Sequence, residues 1–350
     1  MFIAQDLRKK PSLVKAFLGL TAAVFEQLIA DVQARLPEYE RQRLERADRQ
    51  RAVGGGRKCD QPLVIRVALV LTYLRLHISQ EAVALLYGAT QSDVSRELRR
   101  LLPVIREVLP CPEVWEVVEE GLPLEGAAEP VAEGAAEPVA EGAAEPAVEG
   151  AAEPWRADLV LVDATEQQVY RSQDGVERKE HYSGKKKQFT LKTQFVTDGE
   201  HHIKAISVAV GGATHDKTLS DEVNTLERLP EGTEVNADKG YQGLDKQVGW
   251  VTVRHLETGE EQQVPRLTVR TPVKKPKGGE LTEAQQAFNQ HLSRLRVRVE
   301  HCLGWVKNLD VIATRFRCDH GIYTLIMQVV CGLVNHQTHR WQAARATVEA

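Results

Sequence analysis

Residues 158–166 read DLVLVDATE, and this short run organises the rest of the chain. Leu159, Val160, Leu161 and Val162 are four consecutive apolar residues, the pattern of a strand covered on both faces. The run leads into Asp163, and a carboxylate at the end of a buried strand is costly unless it is paired or binds a metal. Residues 188–212 (QFTLKTQFVTDGEHHIKAISVAVGG) read as two strands around Asp198-Gly199, a hairpin signal. A helix near 217–228 follows, then Glu234-Val235-Asn236-Ala237-Asp238, a short strand ending in a second aspartate. Strands, a helix, another strand and later long helices predict an α/β core.

A third acid comes from residues 281–309, which read as one long helix. Its apolar stripe is Leu295, Val299, Cys302 and Val306, and a second stripe carries Ser293, Arg296, Glu300 and Lys307. At ~100° per residue, Arg296 and Lys307 lie about 20° apart around the axis, with Glu300 about 40° from Arg296. One helix face thus presents a carboxylate between two cations. Two strand-end aspartates and a helix-borne glutamate suit Mg²⁺, a hard ion that takes a few carboxylates plus water and phosphate oxygen. Two such ions about 3.5–4 Å apart serve phosphodiester transfer. Without a cation the three carboxylates would repel one another. Spacing alone leaves open the plainer reading of three surface charges. The intervening stretch 246–279 is extended and turn-rich, with Trp250 and the basic loop PVKKPKGG.

The 350 residues carry 45 Lys+Arg and 49 Asp+Glu, a net charge of -4, which by itself speaks against a nucleic-acid partner. The acid is concentrated, however. Residues 125–154 (EGAAEPVAEGAAEPVAEGAAEPAVEGAAEP) repeat every eight positions and contain eight Glu and no Lys or Arg, so the remainder is +4. With a proline in each unit and no large apolar side chain, the repeat predicts a charged, semi-extended linker. No run approaches the ~20 apolar residues of a membrane span, and no signal-peptide pattern opens the chain. The five cysteines (59, 111, 302, 318, 331) are scattered and form no Cys-x-x-Cys pair. That usage predicts a reducing, cytoplasmic setting without a disulfide framework.

Before the linker, Phe25, Leu28, Ile29, Val32 and Leu36 fall at helical spacing behind Thr21, a plausible N-cap. A basic, glycine-interrupted arm follows at 41–59. Pro62 then opens an apolar helix to about His77, Ser79 caps a second helix ending at Gly88, and Thr90 with Asp93 starts a third. On the third helix Val94, Leu98 and Leu101 face inward, leaving Gln91, Ser92, Ser95, Arg96 and Arg99 outward. Two short helices joined at a glycine, the second bearing Gln, Ser and Arg, fit a helix-turn-helix whose recognition helix enters the major groove. A plain helical bundle with a polar outer face fits the same spacing.

Several motifs in order resemble one known family. They are Val162-Asp163-Ala164-Thr165-Glu166, His181-Tyr182-Ser183-Gly184-Lys185-Lys186-Lys187, His215-Asp216, Ala237-Asp238-Lys239-Gly240-Tyr241-Gln242-Gly243 and the KKPKGGELTEAQ run. Together they resemble the DDE transposases of bacterial insertion sequences, in the branch related to Harbinger elements. The family's signature helix spaces Tyr, Arg, Glu and Lys as found here for Arg296, Glu300 and Lys307, with Ser293 in place of the usual Tyr. The resemblance is strong over about 155–320 and looser over 60–105.

It implies an RNase H-like catalytic core, a mixed sheet flanked by helices, behind an all-α helix-turn-helix domain. It also implies Asp163, Asp238 and Glu300 as the catalytic carboxylates, binding two Mg²⁺ per site, with Mn²⁺ an acceptable substitute. Arg296 and Lys307 would contact phosphate beside Glu300, and Lys185, Lys186, Lys187 and Lys192 would track the DNA backbone. Gln91, Ser92, Ser95, Arg96 and Arg99 would read double-stranded DNA, while His215 and Asp216 would support the metal site from behind.

The expected organisation is N-terminal helices and basic arm (1–60), helix-turn-helix (61–124), acidic linker (125–154) and catalytic domain (155–345) with an insertion around 245–280. The expected partners are terminal inverted repeats, target DNA and further copies of the chain, as a dimer or larger assembly on DNA, with no membrane and a nucleoid location. A non-catalytic DNA-binding repressor, or a nuclease that only hydrolyses, are the alternatives. Cys318, His320, Cys331, His336 and His339 are irregularly spaced around an apolar helix, which argues against a zinc site there.

Overall fold

The computed structural model describes residues 9–45, 61–118, 158–254 and 261–349, with side chains to 338. The acidic repeat and most of the basic arm lie outside the described residues.

The N-terminal half is helical. Helices α1 (Pro11–Leu18) and α2 (Ala22–Leu44) precede α3 (Leu63–Leu76), α4 (Gln80–Tyr87) and α5 (Gln91–Val108). The caps fall where the sequence placed them. Thr21 accepts from the Val24 N–H, Ser79 accepts from the Ala82 N–H, and Thr90 and Asp93 close a reciprocal capping box. Helix α3 is apolar all round, and every residue from Ile65 to Leu74 is buried, which makes it the centre of the bundle. Its one buried cation, Arg66, donates Nε and Nη2 to Glu97 Oε2 at 2.9 and 2.8 Å. Val94, Leu98 and Leu101 of α5 are buried as expected.

The second half is a mixed sheet flanked by helices. Its strands are β1 (Glu113–Trp115), β2 (Leu159–Gln168), β3 (Tyr182–Ser183), β4 (Gln188–Asp198), β5 (Ile203–Ser207), β6 (Val210–Gly211) and β7 (Glu234–Ala237). A separate hairpin, β8 (Trp250–Arg254) with β9 (Glu261–Pro265), comes before β10 (Thr268–Arg270). The main order is β1-β5-β4-β2-β7-β10. Strands β5, β4 and β2 are antiparallel neighbours, whereas β7 and β10 continue parallel to β2. Helix α6 (Gly175–His181) precedes β3, and α7 (Asp216–Glu222) precedes β7. Long α8 (Glu283–Val306), short α9 (Asp310–Ala313) and α10 (Tyr323–Glu349) complete the chain.

Two differences from the sequence reading affect the site. Strand β2 does not end at Asp163 but runs to Gln168, because β4 continues the antiparallel ladder as far as Gln168↔Thr190. Residues 113–115, grouped by sequence with the helical domain, form an edge strand parallel to β5.

Each sheet face has its own core. Val160, Val162, Val235, Ala237 and Tyr241 pack with Leu219 and Val223 on one side. Leu161, Phe195 and Ile206 pack on the other with α8, α10 and the N-terminal helices in one continuous core. Polar contacts seal that junction. His77 Nδ1 meets Thr314 Oγ1 at 2.7 Å, Tyr73 Oη meets Cys318 Sγ at 2.9 Å, and Asn335 donates to Pro110 O at 3.0 Å. Among the described residues, no single helix is long and apolar enough to cross a membrane.

Candidate active site

Parallel register brings the first two carboxylates together. Val162 pairs with Ala237 where β7 ends, so the next residues, Asp163 and Asp238, emerge side by side at the point where the sheet opens. Helix α8 packs across β2 and β7 and lays Arg296 over this gap. Arg296 Nη2 lies 3.2 Å from Asp163 Oδ2, and its Nη1 lies 2.9 Å from Asp238 Oδ1. One guanidinium thus bridges both acids, with side-chain exposures of 14% for Arg296, 17% for Asp163 and 33% for Asp238.

The electrostatics are those of crowded acids. Burial pushes the Asp163 carboxyl up and the charge of Asp238 adds to this, while Arg296 and the Ala164 N–H at 2.8 Å pull it down. The Tyr241 hydroxyl is buried without a hydrogen-bond partner. Burial and the charges of Asp216, Asp163 and Asp238 raise it well above a normal phenol.

Glu300 sits one turn beyond Arg296 on α8 and is exposed. It shares the helix face predicted for it but is not gathered with the two aspartates into one ligand set. The donor chemistry fits a hard divalent cation: the atoms are carboxylate oxygens, and a positive group already sits between two of them. Arg296 is that stand-in cation. Its guanidinium, expected to contact phosphate, is engaged here by Asp163 and Asp238.

Basic side chains lie on the same side of the molecule as Asp163. Lys185, Lys186 and Lys187 are exposed at the β3–β4 turn, held by Lys187 N donating to Ser183 O at 2.7 Å. Partial desolvation and the Lys186 charge lower the Lys307 ammonium, while Asp163 pulls it the other way, so these three groups share one neighbourhood. Lys192 departs from its expected place among the exposed lysines. It is only 5% exposed, donates to Asp216 Oδ1 at 2.7 Å, and lies 3.8 Å from Glu166 Oε1. Strand β4 is covered on both faces, so its lysine is neutralised inside instead of facing a polyanion.

Asp216 reaches the site through this network. Gly240 packs so closely on it that a Cβ would lie 2.5 Å from Asp216 Oδ2. His215 is exposed at the N-terminus of α7 with no side-chain capping bond. On α5, Gln91, Ser92, Arg96 and Arg99 are exposed and Ser95 is half-buried, with Arg96 paired to Asp93 at 2.5 Å. Trp250, 66% exposed, stands on the separate hairpin. Sequence reasoning missed Glu166 and Tyr241 as parts of the site, although both lie within the quoted motifs.

Residues 162–335 match the family described as DDE superfamily endonuclease. A curated relative, the probable transposase for insertion sequence element IS702 of Microchaete diplosiphon, is 31% identical over 183 residues. That match covers 51% of this chain and 57% of the relative. No solved structure matches. The segment that carries Asp163, Asp238, Arg296 and Glu300 is thus similar to the DDE superfamily endonucleases.

Proposed function

We propose that this chain is a DNA transposase of an insertion sequence, in the Harbinger-related branch, with an RNase H-like core. It binds terminal inverted repeats, cleaves the element's ends and joins the freed 3′-OH to target DNA. The observation that carries this reading is the pair Asp163–Asp238, set side by side by strand register and bridged by Arg296 of the helix that also bears Glu300. Asp163, Asp238 and Glu300 would hold two Mg²⁺. When bound, these ions supply charge neutralisation for the attacking and leaving oxygens.

The chain's own residues supply the rest. Asp163 is fixed by the sheet on one side and by its Ala164 N–H contact on the other, which keeps one carboxylate edge oriented toward α8. Arg296 holds the two aspartates apart from each other's charge until substrate and metal arrive. Lys185, Lys186, Lys187 and Lys307 form a positive rim that would seat the phosphodiester beside the acids and add salt-sensitive affinity. Helix α5, with Gln91, Ser92, Ser95, Arg96 and Arg99 on its outer side, is the proposed reader of end sequence, in a helix-turn-helix made with α4. The exposed Arg and Gln side chains support this, since those types pair with guanine and adenine edges. End joining calls for self-association on DNA.

The decisive experiment incubates end-bearing and scrambled duplexes with wild type, Asp163→Asn and Glu300→Gln in Mg²⁺ or Mn²⁺. The expected result is end-specific cleavage and strand-transfer products with wild type only. Cleavage by Glu300→Gln at the wild-type rate would overturn the assignment. Nicks without joined products would favour a simple nuclease.

A further inference from the structure

On another part of the same domain, α6 carries Glu177 and His181 four residues apart, on one side of the helix. The short turn His320–Ile322, far along the chain, brings His320 against them. Among the described residues, these three form the group whose donor atoms all lie within 4.8 Å of one another. Glu177 Oε1 is 3.7 Å from His181 Nδ1 and 3.6 Å from His320 Nδ1.

Those separations are too long for hydrogen bonds and suit a different relation. Ligands ~2.05 Å from a shared tetrahedral ion stand ~3.3 Å apart, so the two edges need to contract by only a few tenths of an ångström. His181 is 7% exposed, and its Nδ1 is buried with no hydrogen-bond partner. A buried imidazole nitrogen left unpaired and aimed at a carboxylate is the costly arrangement that a cation between them would relieve.

The surroundings hold the ligands in place. Asp174 caps α6 by accepting from the Val176 and Glu177 N–H groups at 2.8 and 2.9 Å, and Ser172 Oγ donates to the other Glu177 oxygen. His320 leans on His181 with ring centroids 5.4 Å apart, and Asp319 accepts from the Gly321 N–H at 2.9 Å. Phe316 N donates to Gln168 O at 2.9 Å, fixing the preceding segment to the end of β2.

We infer that Glu177, His181 and His320 form a site for a divalent transition ion of the zinc class, separate from the Asp163–Asp238 pair. Two imidazoles and one carboxylate are borderline donors, which select zinc-like ions over Mg²⁺. Three ligands leave a fourth position, and the half-exposed Glu177 and His320 leave it within reach of water. The ion would tie α6 to the connector between α9 and α10. Sequence spacing could not suggest this trio, because its members stand on segments distant in the chain.

The test uses the full chain, stripped with chelator and dialysed against Zn²⁺ or Co²⁺ in the presence of excess Mg²⁺. Metal content and the cobalt ligand-field spectrum are read for wild type, Asp163→Asn, His181→Ala and His320→Ala. One tightly held equivalent is expected in wild type and in Asp163→Asn, with at least about tenfold weaker binding in His320→Ala. Because His181 is buried and its variant could misfold, the half-exposed His320 decides. The site is refuted if His320→Ala binds as wild type does, or if binding disappears with Asp163→Asn.

Discussion

Removing the charge of Arg296 should expose how the aspartate pair is balanced. In Arg296→Gln the contacts of 3.2 Å to Asp163 and 2.9 Å to Asp238 disappear, and two neighbouring carboxylates face each other. Breaking a fully buried pair costs about 3–5 kcal/mol, while an exposed pair contributes at most about 1 kcal/mol. With side chains 14–33% exposed, the site lies between these limits, and a loss of about 2–3 kcal/mol is expected in metal-free buffer. For a domain of this size that lowers Tm by roughly 4–12 °C. Mg²⁺ should then separate the two proteins. In wild type a divalent ion must first displace the guanidinium, and in the variant it need not. A ligand at a hundred times its Kd stabilises by about 2.7 kcal/mol, so tighter binding in the variant should recover most of the loss. Differential scanning fluorimetry across a Mg²⁺ titration, with chelator as baseline, measures both effects. An equal Tm increment in wild type and variant would refute the view of Arg296 as a stand-in cation. Arg296→Lys should fall between wild type and Gln, since an ammonium keeps the charge but does not span both carboxylates as the planar fork does.

Three further outcomes follow from the packing. Burial, aided by the Arg317 charge, lowers His77 to about 4, so its proton binds more tightly in the unfolded chain. Stability from this group is complete above about 6.5, is lost as pH falls from there toward about 4, and totals roughly 3 kcal/mol. Urea midpoints at pH 7.5 and 5 should therefore differ less for His77→Asn, which also accepts the left-handed backbone at φ 43. Gly240→Ala pushes a methyl toward Asp216 Oδ2, on a carboxylate whose Oδ1 Lys192 holds at 2.7 Å, and should cost about 1–3 kcal/mol in chemical denaturation. Gly249→Ala, with nothing within 4 Å of the added carbon, should stay within about 0.5 kcal/mol of wild type.

How much could be read in advance depends on the range of the interaction. Helix starts at Thr21, Ser79, Thr90 and Thr282 are local events within three residues, and three of them were visible as cap signals in the sequence. The α/β alternation and the helix bearing Arg296 and Glu300 were equally local. The end of β2 was not, because it is set by how far β4 follows it and not by the charge on Asp163. Lys192 misled for the same reason: in sequence it belongs to a basic run, and only the covering of both faces of β4 shows that its partners are Asp216 and Glu166. The bridge of Arg296 across two strand ends required a register that no single stretch encodes.

Strand β1 alters the meaning of the repeat. The chain leaves the sheet beside β5, with Val118 N donating to Glu222 O at 2.8 Å, and re-enters it at β2, with Asp158 O accepting from Glu234 N at 2.9 Å. The described strands that flank the acidic segment, β1 before it and β2 after it, thus belong to one sheet. Doubling such a closed loop costs only about 0.6 kcal/mol in closure entropy. Adding or removing whole eight-residue units should therefore leave the contacts of Arg296 with Asp163 and Asp238 unchanged.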